Sequence, residues 1–196
     1  MRYRRPVFLE SNVLENIIAD NDHQEWSIIA EETAQMLFGQ ESIENEQVRD
    51  RIIQIIKNND IEKIAVLWSK SPDNSLAGMM WRSFLIYEWH LYDEENLREH
   101  YDNGIRCLKN CSNKIDYETI IFSLVEVMKG NFELKKLNVF YMYMVYFLKI
   151  LALGVAFEGY AKEDLVFDKK QIHEMLYIKA KAIIEMAKQF EDSIKR

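Results

Sequence analysis

The longest apolar stretch of the chain runs from Leu137 to Phe157 and reads LNVFYMYMVYFLKILALGVAF. Only Asn138 and Lys149 are strongly polar within it. A run of about 20 apolar residues can span a bilayer, but a lysine near its middle disfavours insertion by roughly 2.5–3.5 kcal/mol. The flanking segments are amphipathic, and their apolar faces need a shared partner in water. We therefore predict a central helix that is buried on nearly every side by the other helices.

The rest of the chain favours an all-α protein. The 196 residues suffice for one domain with a substantial core, and the low content of glycine (6) and proline (2) argues against turn-rich β architectures. We predict a single helical domain over 1–196, a bundle of about eight helices around the buried central helix, with 1–10 a flexible basic N-terminus. The predicted helices are 12–20, a helix from 22 to 39, 44–57, 61–70, 76–92, 94–109, 117–129, 137–157 and 170–194.

Several helix ends carry sequence signals. The order Asp22-His23-Gln24-Glu25 has the pattern of a capping box, and Asp116 is an N-cap candidate. Gly39 and Gly130 are predicted to end the helices that precede them, because glycine adopts the left-handed conformation of a C′ residue without steric cost.

The charge and the cysteines narrow the functional classes. The net charge of −7 disfavours a nucleic-acid partner without excluding one. Cys107 and Cys111 share a helix face and are not a secreted disulfide framework, which indicates reduced thiols in the cytoplasm. No signal peptide is expected, because Glu10 interrupts the first apolar residues. A zinc site of these cysteines with His100 would lack a fourth ligand.

Recognisable catalytic motifs are missing from the sequence. It contains no phosphate-binding glycine loop, no nucleophile elbow and no metal-binding histidine pair. We therefore predict no catalytic residue, no metal and no cofactor.

Glu88 is the most informative polar residue. At about 100° per residue it falls inside the broad apolar arc of the helix 76–92, whereas Arg82, Ser83 and His90 lie on the other side. A carboxylate on an apolar face must be neutralised or paired, and such groups gather at functional sites. Either Glu88 pairs with a cation from a neighbouring helix, or Glu88 and Arg82 border a pocket.

The N-terminal arginines are a second candidate site. Arg2, Arg4 and Arg5 beside Tyr3 could contact phosphates, and the alternative is a solvated basic tail.

The segment LAGMMWRSFLIYEW at 76–89 resembles a motif of a family of uncharacterised actinobacterial proteins. That motif reads Leu-Pro-Gly, two residues, Trp-Arg, an aromatic residue, apolar residues and Glu-Trp. The residues 116–132 are weakly similar to the same family. The resemblance implies an all-helical fold, and some members are labelled as DNA-binding. The shared motif positions are Gly78, Trp81, Arg82, Glu88 and Trp89.

The chain departs from that family in three places. Ala77 replaces the usual proline, and Tyr87 and Tyr92 stand where arginines are expected. Three functions follow as hypotheses. The first is a cytoplasmic, non-catalytic interaction or regulatory module with a protein partner or self-association and no membrane. The alternatives are a DNA-associated regulator and a small-molecule or enzymatic pocket around Glu88 and Arg82.

Overall fold

The computed structural model describes residues 23–39, 60–108, 116–161 and 169–195, together with 50, 52–55 and 58. These parts are all helical, as predicted. They contain six α-helices and one 3-10 helix, seven helices against a prediction of about eight, and a short helical segment at 52–55. The helices are α1 His23–Met36, α2 Ile61–Trp68, α3 Leu76–Cys107, α4 Tyr117–Met128, the 3-10 helix Leu134–Lys136, α5 Leu137–Ala161 and α6 Lys169–Ile194.

Three predicted helix-end signals are confirmed, whereas α5 continues to Ala161, beyond its predicted end at 157. Gly39 and Gly130 follow α1 and α4 with φ of 77° and 72°, the left-handed conformation that favours glycine. The Asp116 carboxylate accepts a hydrogen bond from the backbone N–H of Thr119 at 3.1 Å and caps α4. The predicted helix 12–20, the capping residue Asp22 and the N-terminus 1–10 lie outside the described residues.

Helix α3 has two halves that meet at a kink at Asp93. This residue has φ −154° and ψ 55°, which no helix tolerates. The sequence predicts two helices, 76–92 and 94–109, and the kink falls between them. Both halves run along α5, so the kink lets one long element cover the central helix at two levels.

Helices α5 and α6 pack side by side and run in opposite directions. Near the start of α5, Tyr141 stacks on Phe190 from the end of α6, with ring centroids 5.2 Å apart. Near the other end, Gly154 abuts the carbonyl of His100, whose ring contacts Lys179 from the first half of α6. The core therefore lies between α5, α6 and the two halves of α3.

Two glycines allow α3 and α5 to approach closely. A Cβ atom on Gly104 would lie 2.0 Å from the carbonyl oxygen of Ile150, and a Cβ on Gly154 would lie 1.7 Å from the carbonyl oxygen of His100. Gly104 has low helix propensity, but at this crossing the lack of a side chain is a requirement.

Helix α5 is not buried on nearly every side, contrary to the prediction. Its buried sides face α3, α4 and α6, while one side is open to solvent. The solvent-facing side is apolar, so the amphipathic neighbours cover only part of its circumference.

Candidate functional site

The motif glycine holds the loop that precedes α3. Ser75 is the N-cap, and its Oγ accepts a hydrogen bond from the N–H of Gly78 at 2.9 Å. A Cβ on Gly78 would lie 2.1 Å from the carbonyl oxygen of Pro72, so only glycine permits this approach. The carboxylate of Glu31 in α1 accepts hydrogen bonds from two further N–H groups of the first turn, at 3.3 and 3.0 Å. These contacts fasten the N-terminus of α3 to α1.

Arg82 is buried, although the sequence places it opposite the apolar arc of α3. The residue is 4% exposed. Its Nη1 lies 3.1 Å from Oδ1 of Asp73, its Nη2 donates to the Asp73 carbonyl, and its guanidinium lies 5.0 Å from the ring centroid of Phe190. Burial lowers the pKa of Arg82, and the charge of Asp73 opposes that shift. The carboxylate thus compensates a desolvated cation.

Asp73 also binds the end of α6. Gln189 donates from Nε2 to Oδ2 of Asp73 at 3.1 Å, and Ser193 donates from Oγ to the Asp73 carbonyl at 2.9 Å. The loop residue therefore joins α3 to the last turns of α6. Gly78 and Arg82 of the motif therefore make contacts that hold the start of α3 in place.

Glu88 is partly buried, and its Oε1 is enclosed. None of the described residues donates a hydrogen bond to this oxygen. Burial raises the pKa of the Glu88 carboxyl, and repulsion from Glu62 in α2 raises it further. The predicted cation partner is not found among the described residues, so Glu88 remains a carboxylate whose ionisation costs free energy. The apolar arc around it is partly open, since Leu91 and Tyr92 are exposed.

The two motif tryptophans occupy different surroundings. Trp81 stacks on Phe84 one turn along α3, with ring centroids 5.8 Å apart. Trp89 contacts the edge of His100 across the kink and lies 4.5 Å beneath the Nζ of Lys179. That Nζ is 3.0 Å from His100 Nε2.

The motif residues therefore lie in two regions of α3, its N-terminus and its kink. Gly78 and Arg82 hold the N-terminus of α3, Trp89 links its kink to α6, and Trp81 and Glu88 lie between them. Arg2, Arg4, Arg5 and Cys111 lie outside the described residues. Cys107 is an exposed free thiol, and no group of three or more His, Cys, Asp or Glu in the described ranges could hold a metal ion.

The largest exposed apolar feature of α5 is a row along its open side, which we call the α5 face. Its six large apolar side chains are each between 42% and 56% exposed. They are Val139, Met142, Tyr143, Tyr146, Leu153 and Phe157. Lys149 interrupts the row, and its Nζ pairs with Oε2 of Glu191 in α6 at 3.0 Å. The sequence does not show which side of α5 is exposed, because the helix is apolar on all sides.

One segment of the described chain is long and apolar enough to cross a membrane. It is Leu134–Phe157, with a mean hydropathy of 1.8, and 61% of the apolar window is buried inside the fold. The core helix of a soluble protein meets the same criterion.

Comparison with protein-family models, curated proteins and solved structures yields no match. The resemblance of 76–89 to the actinobacterial family therefore stays a prediction.

Proposed function

We propose that the protein is a cytoplasmic, non-catalytic helical module that binds a protein partner through the α5 face. The observation that carries the proposal is the row of half-exposed apolar side chains on one side of α5. Large exposed apolar patches on soluble proteins mark interaction sites. The row is rich in tyrosine, methionine and phenylalanine, residue types that are enriched at protein interfaces.

The scaffold presents this face on a firm support. The opposite side of α5 is anchored by the Gly104–Gly154 crossing with α3 and by the stacking of Tyr141 on Phe190 of α6. A side chain on a well-packed helix loses less conformational freedom on binding than one on a loop. Tyr177 of α6 is a further exposed aromatic residue.

The alternative functions have weaker support. A pocket or phosphate site around Arg82 would need an available cation, but this guanidinium is buried and bound to Asp73. The net charge of −7 likewise disfavours DNA. An aqueous partner is favoured over lipid because the buried sides of α5 already pack against α3 and α6.

Site-specific photo-crosslinking tests the proposal. We would replace Tyr146 with p-benzoylphenylalanine, irradiate cells that express the full chain, and identify adducts by mass spectrometry. The matched control carries the same group at Phe122, an exposed aromatic residue of α4. We expect a discrete protein adduct from position 146 and none from position 122. Equal, diffuse labelling at both positions would refute the assignment.

A further inference from the structure

The α5 face has the spacing of a helix–helix seam. Four residues of the α5 face, together with the exposed residues Lys149 and Ala156, are spaced alternately by three and four residues, which is the a/d pattern of a coiled coil. They are Val139, Met142, Tyr146, Lys149, Leu153 and Ala156. Such a row forms a narrow stripe that one further helix can cover.

This spacing is the same when read in either direction. An identical helix placed antiparallel therefore brings every seam position of one copy opposite a seam position of the other, about a two-fold axis between Tyr146 and Lys149. The three unique layers pair Val139 with Ala156, Met142 with Leu153, and Tyr146 with Lys149 of the second copy. Two-fold contacts of this kind are isologous and close after two subunits.

The layers also match in size and charge. The smallest residue, Ala156, faces Val139, and two flexible apolar side chains face each other in the next layer. In the innermost layer the ammonium of Lys149 meets the ring of Tyr146 of the second copy, a favourable cation–π arrangement. Its charge is already compensated by Glu191 of its own chain at 3.0 Å, which lowers the cost of covering it.

The exposed area is at the lower limit for a specific dimer. Complete coverage of the six large side chains of the α5 face, each about half exposed, would bury at most roughly 600 Å² per copy, or roughly 1,200 Å² in total, the lower end of standard interfaces. We infer that the protein forms a two-fold symmetric dimer through antiparallel pairing of α5 with α5 of a second copy. This inference rests on the proposed function and names its partner.

Sedimentation velocity over about 1–100 µM, a range that covers micromolar association, tests the inference. We expect wild-type protein to approach twice the chain mass of 23.4 kDa. Met142→Glu should weaken self-association at least about tenfold, since it puts a charge into an apolar layer. Phe122→Glu, an equivalent change at an exposed position of α4, should leave it unchanged.

Disulfide trapping tests the orientation. In a background with Cys107→Ser and Cys111→Ser, a mixture of Met142→Cys and Leu153→Cys chains should oxidise to a mixed dimer. Neither variant alone should crosslink, because like positions in an antiparallel pair are about 16 Å apart along the axis. Crosslinking of Met142→Cys with itself would overturn the antiparallel arrangement.

The failures of the two proposals are distinguishable. If the protein is a monomer at every concentration, the dimer is refuted. This holds even if lipid vesicles bind the α5 face. It also holds if Met142→Glu unfolds the monomer, which would show that another part of the chain covers that face. If position 146 then photo-crosslinks to a different protein, the proposed function stands while the dimer fails. If position 146 gives no discrete adduct, the proposed function fails with it.

Discussion

Removing Asp73 should destabilise the fold more than removing its buried partner Arg82. The two side chains form one ion pair at 3.1 Å, but the arginine side chain is 5% exposed and the aspartate side chain 65%. Asp73→Ala leaves a desolvated cation without its counter-charge. Arg82→Met removes the cation, keeps most of the side-chain volume and leaves a carboxylate that water already solvates.

The magnitudes follow from the contacts that each change breaks. Loss of one partner of a fully buried pair costs about 3–5 kcal/mol. Here the Asp73 carboxylate is largely exposed, and its backbone carbonyl still accepts from Nη2 in the alanine variant. We therefore expect about 1.5–3 kcal/mol for Asp73→Ala, the range of a charge-assisted hydrogen bond. We expect no more than about 1.5 kcal/mol for Arg82→Met, because apolar replacement of a buried charge is often neutral.

Urea denaturation, monitored by the circular dichroism signal of the helices, measures both free-energy changes. The control is Glu118→Ala, because Glu118 is also 65% exposed and pairs with Arg98 at 2.6 Å, but Arg98 is 39% exposed. An exposed pair contributes at most about 1 kcal/mol. The double variant Asp73→Ala with Arg82→Met should cost little more than Arg82→Met alone. The reasoning is refuted if Arg82→Met costs as much as Asp73→Ala, or if Asp73→Ala matches the control.

Three further results are expected. Gly154→Ala should lower the free energy of unfolding by about 3 kcal/mol or more, or abolish folding, because its Cβ would lie 1.7 Å from a carbonyl oxygen. Gly39→Ala should cost only about 1–2 kcal/mol, because a Cβ there meets open space and only the φ of 77° is unfavourable. Thermal denaturation measures both values. Glu88→Gln should stabilise the fold at pH 7, because burial and repulsion from Glu62 raise the pKa of Glu88. A raised carboxyl pKa means that stability is lost as pH rises from the ordinary carboxyl pKa through the folded one, so the gain measured by urea denaturation should disappear in acid. The gain should also shrink in a Glu62→Gln background. A gel-shift titration at low salt should show no salt-sensitive DNA binding, since the motif cation Arg82 is buried; a shift that salt abolishes would contradict this.

The sequence predicts the helices better than it predicts their exposed sides. Caps and left-handed glycines are local signals, so Asp116, Gly39 and Gly130 mark real helix ends. The orientation of α3 depends on a distant contact. Arg82 counts as polar in any periodicity, yet Asp73 from the preceding loop lets it be buried, and no helical pattern contains that information.

Gly104 illustrates the same limit. Its low helix propensity is visible in the sequence, but its steric role depends on the Ile150 carbonyl, in a helix far along the chain. Gly154 is visible only as one residue of an apolar run. A contact between two helices is a property of both sequences and of their crossing point, so inspection of either helix alone cannot reveal it.

The open side of α5 follows from a geometric limit on what its neighbours can cover. A helix that is apolar all round needs apolar contacts on every side, and in the described chain α3 and α6 provide most of them. Helices α3 and α6 leave one stripe of the α5 surface uncovered, and that stripe carries tyrosine, methionine and phenylalanine. Hydropathy alone reports that α5 avoids water without identifying what covers it. The alternating spacing of the stripe indicates that one more helix fits there, and we propose that this helix is α5 of a second copy.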